Sequence, residues 1–233
     1  MPLPAQATLL LSFDVAPEML AEHDDWHTHE HLPERLSIPG FLRGSRWTAV
    51  GGGPRYFVMY EVESLATLTS EAYLARLNAP SAWTQKMMPG YRDMNRGLCS
   101  VTASFGAGIG GAALLVRFKP VAGKEDSLRR WLREEALPPL ASLRGVGGAH
   151  LFEGAVAAPM TNEQRIRGVD AGFDWAVLAT GYDEEALAAL TEGVLSTAQL
   201  EAHGAGGVQA ASYRLGYALT DREARTSSGP AAV

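Results

Sequence analysis

Cysteine is nearly missing from this chain: Cys99 is the one example among 233 residues. That excludes an internal disulfide and a zinc site built on cysteines. Cys99 itself lies in an apolar, strand-like run and suits a small core filler. Long apolar runs are missing too, and none approaches the ~20 residues that cross a bilayer as a helix. Met1-Pro2-Leu3-Pro4-Ala5-Gln6 carries no positive charge and leads straight towards a strand. No secretory leader is therefore expected, and the cytoplasm is the expected location. Basic clusters are absent and the net charge is −6, so neither nucleic acid nor a membrane is an expected partner. What remains is an ordinary globular composition, 46% apolar and 20% charged. It is long enough for one large unit or two of about 100 residues.

The densest chemistry sits in Asp25-Trp26-His27-Thr28-His29-Glu30-His31-Leu32-Pro33-Glu34-Arg35, followed by Ser37-Ile38-Pro39-Gly40-Phe41. A second copy begins 105 positions later, at Trp131. Trp26 aligns with Trp131, Glu30 with Glu135, Leu32-Pro33 with Leu137-Pro138, and Gly40 with Gly145. The polar residues do not follow: His27 becomes Leu132, His31 becomes Ala136 and Arg35 becomes Leu140. An internal repeat takes precedence in any fold assignment.

Apolar alternation and turn residues predict strands at 8–15, 41–50, 56–62 and 97–105 in the first half. Helices are predicted at 17–36 and 65–77, the latter capped by Ser64. Gly106-Ala107-Gly108-Ile109-Gly110-Gly111 is linker-like, and no helix follows it as a dinucleotide loop would require. The second half repeats the order. Strands are expected at 113–119, 146–153, 174–179 and 208–219, with helices at 124–141 and 184–195, the second capped by Asp183. A long loop containing Pro159-Met160-Thr161-Asn162 separates the middle strands, and 221–233 is expected to be a flexible tail. Each β-α-β-β-α-β half matches a ferredoxin-like unit, a four-stranded antiparallel sheet with two helices on one face. The bare sheet faces must be covered. The expected fold is therefore α+β, two fused ferredoxin-like halves (1–106, carrying the polar site, and 112–220, mainly scaffold) closing a pseudo-dimeric α+β barrel.

Trp26, His31-Leu32-Pro33 and Ile38-Pro39-Gly40-Phe41 together resemble the signature of EthD-type members of the dimeric α+β barrel superfamily. There an aromatic residue precedes a His-x-Pro on the first helix, and a Pro-Gly leads into the second strand. Members of that family are usually single-copy subunits that dimerise, whereas this chain looks fused. The resemblance implies a pocket between sheet and helices of one half, a small organic substrate, no cofactor, and His31 as the functional position. It leaves reaction type open, because one fold hosts many activities.

From the residues themselves, His31 is a candidate general acid or base, since imidazole exchanges protons near neutral pH. Glu30 is expected to orient it, and Arg35 or Arg46 to hold a carboxylate or a developing oxyanion. Trp26, His27, Tyr60, Trp83 and Arg43 are the expected substrate-binding residues. On a regular helical wheel His27 and His31 share a face with Glu34, while Trp26 and His29 fall on another arc. The expected activity is thus cofactor-free proton transfer of the lyase, isomerase or dehydratase type on a small organic acid or carbonyl compound. A non-catalytic ligand-binding role is the alternative. Less favoured are a zinc site on the His-x-x-Glu-His pattern of 27–31, which lacks a third ligand, and haem, for which only His150 and His203 occur in the second half. The chain is expected to be a monomer whose halves mimic a dimer, or a homodimer.

Overall fold

The computed structural model describes residues 3–155, 160–168 and 170–227. In the N-terminal half β1 (Ala7–Val15) leads into α1 (Leu20–Trp26), a widened π-helical turn (His27–His31) and α2 (Leu32–Leu36), which run on as one rod. β2 (Phe41–Ala49), β3 (Tyr56–Val62), α3 (Glu71–Asn78), α4 (Ala82–Met87) and β4 (Tyr91–Gly106) complete this half. The C-terminal half runs β5 (Ala112–Pro120), α5 (Glu125–Trp131), a second π-helical turn (Leu132–Ala136), β6 (Val146–Gly154) and α6 (Asn162–Arg167). It continues through β7 (Ala171–Gly172), β8 (Trp175–Gly181), α7 (Glu184–Ala189), α8 (Thr197–Ala202), β9 (Ala205–Thr220) and α9 (Asp221–Ser227).

The strands form the expected sheets. The first half is ordered β4-β1-β3-β2 and the second β9-β5-β8-β6, which is the same fourth-first-third-second antiparallel order. Two 16-residue strands join them. β4 pairs with β1 through Ser100 and then with β6 from Cys99 onwards. β9 pairs with β5 and then with β2. The result is a closed eight-stranded antiparallel barrel, with β7 a short parallel addition to β4. Closure removes the exposed strand edges that each half would otherwise present.

Strand alternation sorts the side chains into three cores. Leu9, Leu11 and Phe13 of β1 face the helices of the first half, whereas Leu10 points into the barrel with Trp47, Phe57 and Leu178. The helices of the second half cover Leu114, Val116 and Val177. Cys99 is buried in the barrel, and desolvation pushes its thiol up to about 12, so it is an inert filler.

Several boundaries differ from the sequence expectation. The Ser64 side chain makes no cap bond. Leu65–Thr69 is a 3₁₀ segment, and Ser70 caps α3 by accepting from the Tyr73 amide at 3.2 Å. The expected helix at 124–141 breaks after its π turn, where Pro138 and Pro139 remove two amide donors. β4 begins at Tyr91, six residues early, because Ala16 and Gly90 pair ahead of it. Part of the expected loop in the second half is helix α6. The start of the expected flexible tail is helix α9, held by buried Ala224, while 228–233 lie outside the described residues. Among the described residues no helix is long and apolar enough to cross a membrane.

Candidate active site

The rod of the first half is shaped by Pro33. A proline has no N–H and its ring crowds the carbonyl four residues back, so a regular α-helical turn cannot pass through it. The chain widens just before: the Leu32 amide donates to the His27 carbonyl, five residues back rather than four. The second half does the same ahead of Pro138, where the Leu137 amide donates to the Leu132 carbonyl at 3.0 Å. The extra residue in the turn rotates His31 onto Trp26, with ring centroids 4.4 Å apart. A regular wheel places these two on different arcs, and the π turn is the reason they meet.

Along the buried side His23, His27 and His31 form a row, with successive centroids 5.6 and 5.5 Å apart. His29 is exposed. His31 is 8% exposed and opens on a cavity of about 30 Å³ shared with Arg35, Tyr60, Tyr73 and Arg96. The roof comes from the other half. Thr161, Glu163 and Arg167, on and beside α6, line the same cavity. Glu163 pairs with Arg35, and Arg35 also donates to Glu34 at 3.1 Å. α6 is fastened over the mouth by Asn162, whose amide and side chain bond to Asn78 at 3.1 and 2.8 Å. A capping box of Thr161 and Gln164 starts the helix. Arg167 is held by Asp170 at 2.6 Å and lies over Tyr91 at 6.0 Å.

The electrostatics are one-sided. Burial, then the Arg35 guanidinium, and then His27 and His23, hold His31 well below its usual value. It is therefore a neutral imidazole at physiological pH, and its Nδ1 has no partner among the described residues. Burial raises Tyr60, whose hydroxyl also lacks a partner, so the phenol stays protonated as a donor. Arg35 is pulled in both directions. Burial, the largest single influence, works against its charge, but Glu163 together with Tyr73 and Tyr60 outweighs it and the net shift is upward.

The expected site residues therefore separate. His31, Arg35 and Tyr60 come together, with Trp26 packed behind His31. Glu30 does not orient His31. It accepts from Trp26 Nε1 at 3.1 Å, Ser81 Oγ at 2.5 Å and Thr84 Oγ1 at 3.4 Å, so it fixes the indole instead. Arg46 donates to the Asp24 carbonyl at 3.0 Å and Thr28 Oγ1 at 3.1 Å, bracing the rod away from the cavity. Arg43 turns into the barrel and binds Glu61 at 2.6 Å. Phe41 faces the helices, and a bulge between Phe41 and Arg43 reverses the alternation that follows. Trp83 donates to Glu22 at 3.1 Å and does not line the cavity, and His27 sits one turn before it.

His23, Tyr73, Arg96, Glu163 and Arg167 were not singled out in the sequence. One signal was present for His23, the same four-residue step taken backwards from His27. For Glu163 the signal was length: residues 50–55 join β2 to β3, whereas 155–174 join β6 to β8. Among the described residues no group of three His, Cys, Asp or Glu side chains is placed to hold a metal. In the second half His150 lies in the barrel with its Nδ1 2.8 Å from Ser104 Oγ, and His203 stacks flat on Trp131 at 3.9 Å.

No family model matches the chain, and no curated protein matches it in sequence. Solved structures do match in shape. An anthrone oxidase-like protein superposes with a TM-score of 0.66 and 13% identity, covering 100% of this chain and 99% of that one. A putative monooxygenase from Fusobacterium nucleatum gives 0.60 at 8% identity, covering 93% and 95%. A mutant chlorite dismutase from Candidatus Nitrospira defluvii gives 0.55 at 10% identity, covering 94% of each. The fold is that of the dimeric α+β barrels. In this chain both four-stranded sheets belong to one polypeptide, and the near-complete mutual coverage shows the same of these neighbours. At such identities the likeness fixes the architecture and leaves the activity to the site.

Proposed function

We propose that this chain is a small-molecule enzyme of EthD-like character in which neutral His31 removes a proton from carbon beside a carbonyl, with no cofactor. The observation that carries this reading is one shared cavity holding a buried imidazole, a buried guanidinium and a phenol, with the imidazole Nδ1 and the phenol hydroxyl unpartnered among the described residues. The substrate C–H proton passes to His31 while the C–H electron pair moves into the carbonyl, leaving an enolate oxygen. Arg35 and the Tyr60 hydroxyl are the donors for that oxygen. Return of the proton from His31 to a different carbon gives isomerisation, and its delivery to a departing hydroxyl gives dehydration.

At about 30 Å³ the closed cavity admits a single water and not a substrate. Turnover therefore requires α6 to leave the mouth, and an anionic substrate oxygen takes the place of Glu163 on Arg35. An anthrone is an enolisable aryl ketone, so the name of one structural neighbour points to the same first step. Uptake of dioxygen by the resulting carbanion would be the oxidase continuation. The alternative, a binding protein, keeps the pocket without the chemistry.

The test is a panel of enolisable aryl ketones and small keto acids in deuterated buffer, with exchange at the acidic carbon followed by NMR and dioxygen followed by electrode. Wild-type protein is expected to accelerate exchange and His31→Ala to abolish the acceleration. Equal exchange in both proteins removes His31 from the chemistry. Binding without exchange by the wild type assigns the chain to the binding role.

A further inference from the structure

A second cavity, of about 410 Å³, lies at one end of the barrel on the opposite face of β1. Leu9 and Leu11 of that strand line the His31 cavity, whereas Ser12 lines this one. Further wall comes from Leu115 and Arg117 of β5, from Gln209, Ala211 and Tyr213 of β9, and from Pro54 in the β2–β3 turn. Both halves of the barrel contribute. Its volume falls within the ~300–1,000 Å³ typical of small-molecule pockets.

Arg117 is the unusual member. Its side chain is half-buried, and desolvation pushes its guanidinium below the usual value. Arg35, Arg43, Arg46 and Arg167 each pair with a carboxylate. Among the described residues no carboxylate pairs with Arg117. It is instead held by neutral groups. Nη1 donates to Ser12 Oγ at 2.8 Å, Nη2 donates to Gln209 Oε1 at 2.7 Å, and the guanidinium lies 4.8 Å from the Phe173 ring centroid. These contacts orient the group without cancelling its charge, and they use two of the five N–H donors a guanidinium carries. A half-buried cation fixed by neutral partners at the wall of a cavity suits an anion supplied from outside. Tyr213 also lines this cavity, and burial raises its hydroxyl to about 12, which keeps it protonated. Leu115, Pro54 and Ala211 supply an apolar wall for the rest of the ligand.

We propose that this barrel-end cavity is a binding site for a small organic carboxylate with a compact apolar body, its carboxylate on Arg117 and its body against Leu115 and Pro54. The site is independent of the His31 chemistry, since β1 separates the two cavities.

Benzoate is the probe and benzamide the uncharged control of the same shape. Binding is followed by calorimetry and by amide NMR shifts of the folded full-length chain. Benzoate is expected to shift the Gly53, Ala210 and Ala211 amides, and benzamide to bind at least about tenfold more weakly. Arg117→Gln is expected to weaken benzoate by about tenfold or more, the equivalent of losing one charge-assisted contact. Ala211→Leu, which keeps Arg117 and fills the cavity, is expected to do the same, and it decides the matter if Arg117→Gln fails to fold. His31→Ala is expected to leave benzoate affinity unchanged, so this site and the proposed catalytic one succeed or fail separately. No shift of these amides at ~10 mM benzoate, where even a ~1 mM site would be mostly filled, overturns the proposal. So do equal affinities for benzoate and benzamide, or shifts confined to the surroundings of His31 and Arg35.

Discussion

Glu163 and Arg35 lie in different halves of the chain yet form one ion pair, with side chains 3% and 2% exposed. Taking two charges out of water is costly, and the cost is recovered only while both partners stay in place. The pair thus binds the second half to the cavity of the first and gives α6 a reason to close over it.

Breaking the pair from one side leaves a buried guanidinium with Glu34, 3.1 Å away, as its one remaining carboxylate partner among the described residues. Glu163→Gln is expected to cost about 3 kcal/mol in urea unfolding, the low end of the range for a broken buried pair because Glu34 remains. Arg35→Met with Glu163→Leu should recover most of that loss. Wild-type stability in Glu163→Gln would mean that the pair is not buried in solution.

His27 carries a buried Nδ1 without a partner among the described residues, and the aligned residue of the second half is Leu132. An unsatisfied buried polar atom costs roughly 1–3 kcal/mol. His27→Leu is therefore expected to raise the thermal midpoint while leaving the chemistry proposed for His31 unaffected. A lower midpoint would show that His27 makes a bond that matters.

Acid should destabilise the fold early. His23, His27 and His31 are held below the ordinary histidine value chiefly by burial, and His150 is pushed down to about 4. The unfolded chain takes up protons below pH ~6.5 that the folded chain refuses, so stability is full above that pH and falls as pH drops beneath it. His150 alone accounts for on the order of 3 kcal/mol across its window. Glu34 and Glu61 are raised by burial and oppose the trend, but the histidines outnumber them. Unfolding midpoints measured from pH 8 to pH 5, taken in steps of about one pKa unit, should begin to fall near 6.5. A flat profile would place these rings in water.

Arg43 faces a fully buried Glu61 inside the barrel. Arg43→Met is expected to cost about 3 kcal/mol, with Glu61 protonating to limit the damage. Ligand affinity at the His31 cavity should not change. A loss of affinity with stability intact would return Arg43 to the binding site.

Much of the architecture was legible because its signals are local. The 105-residue offset of Trp26 and Trp131 exposed the two halves, and glycine-rich turns marked the strand ends. His31, Arg35 and Tyr60 could be grouped because a helix and its neighbouring strand carry them within one half. What escaped depends on irregularities or distance. One inserted residue at Phe41/Arg43 exchanged the faces of Arg43 and Arg46, and one widened turn brought Trp26 onto His31. Glu163 reaches Arg35 across 128 positions, and no periodicity encodes a contact of that span.

The α6 crossing also limits what an assembly of identical subunits could achieve. Two equal copies related by a twofold axis would each have to send the same segment over the other's pocket, and would end with two matched mouths. Placing both sheets in one polypeptide lifts that obligation: one half can give up its own pocket residues and supply the segment that covers its neighbour's.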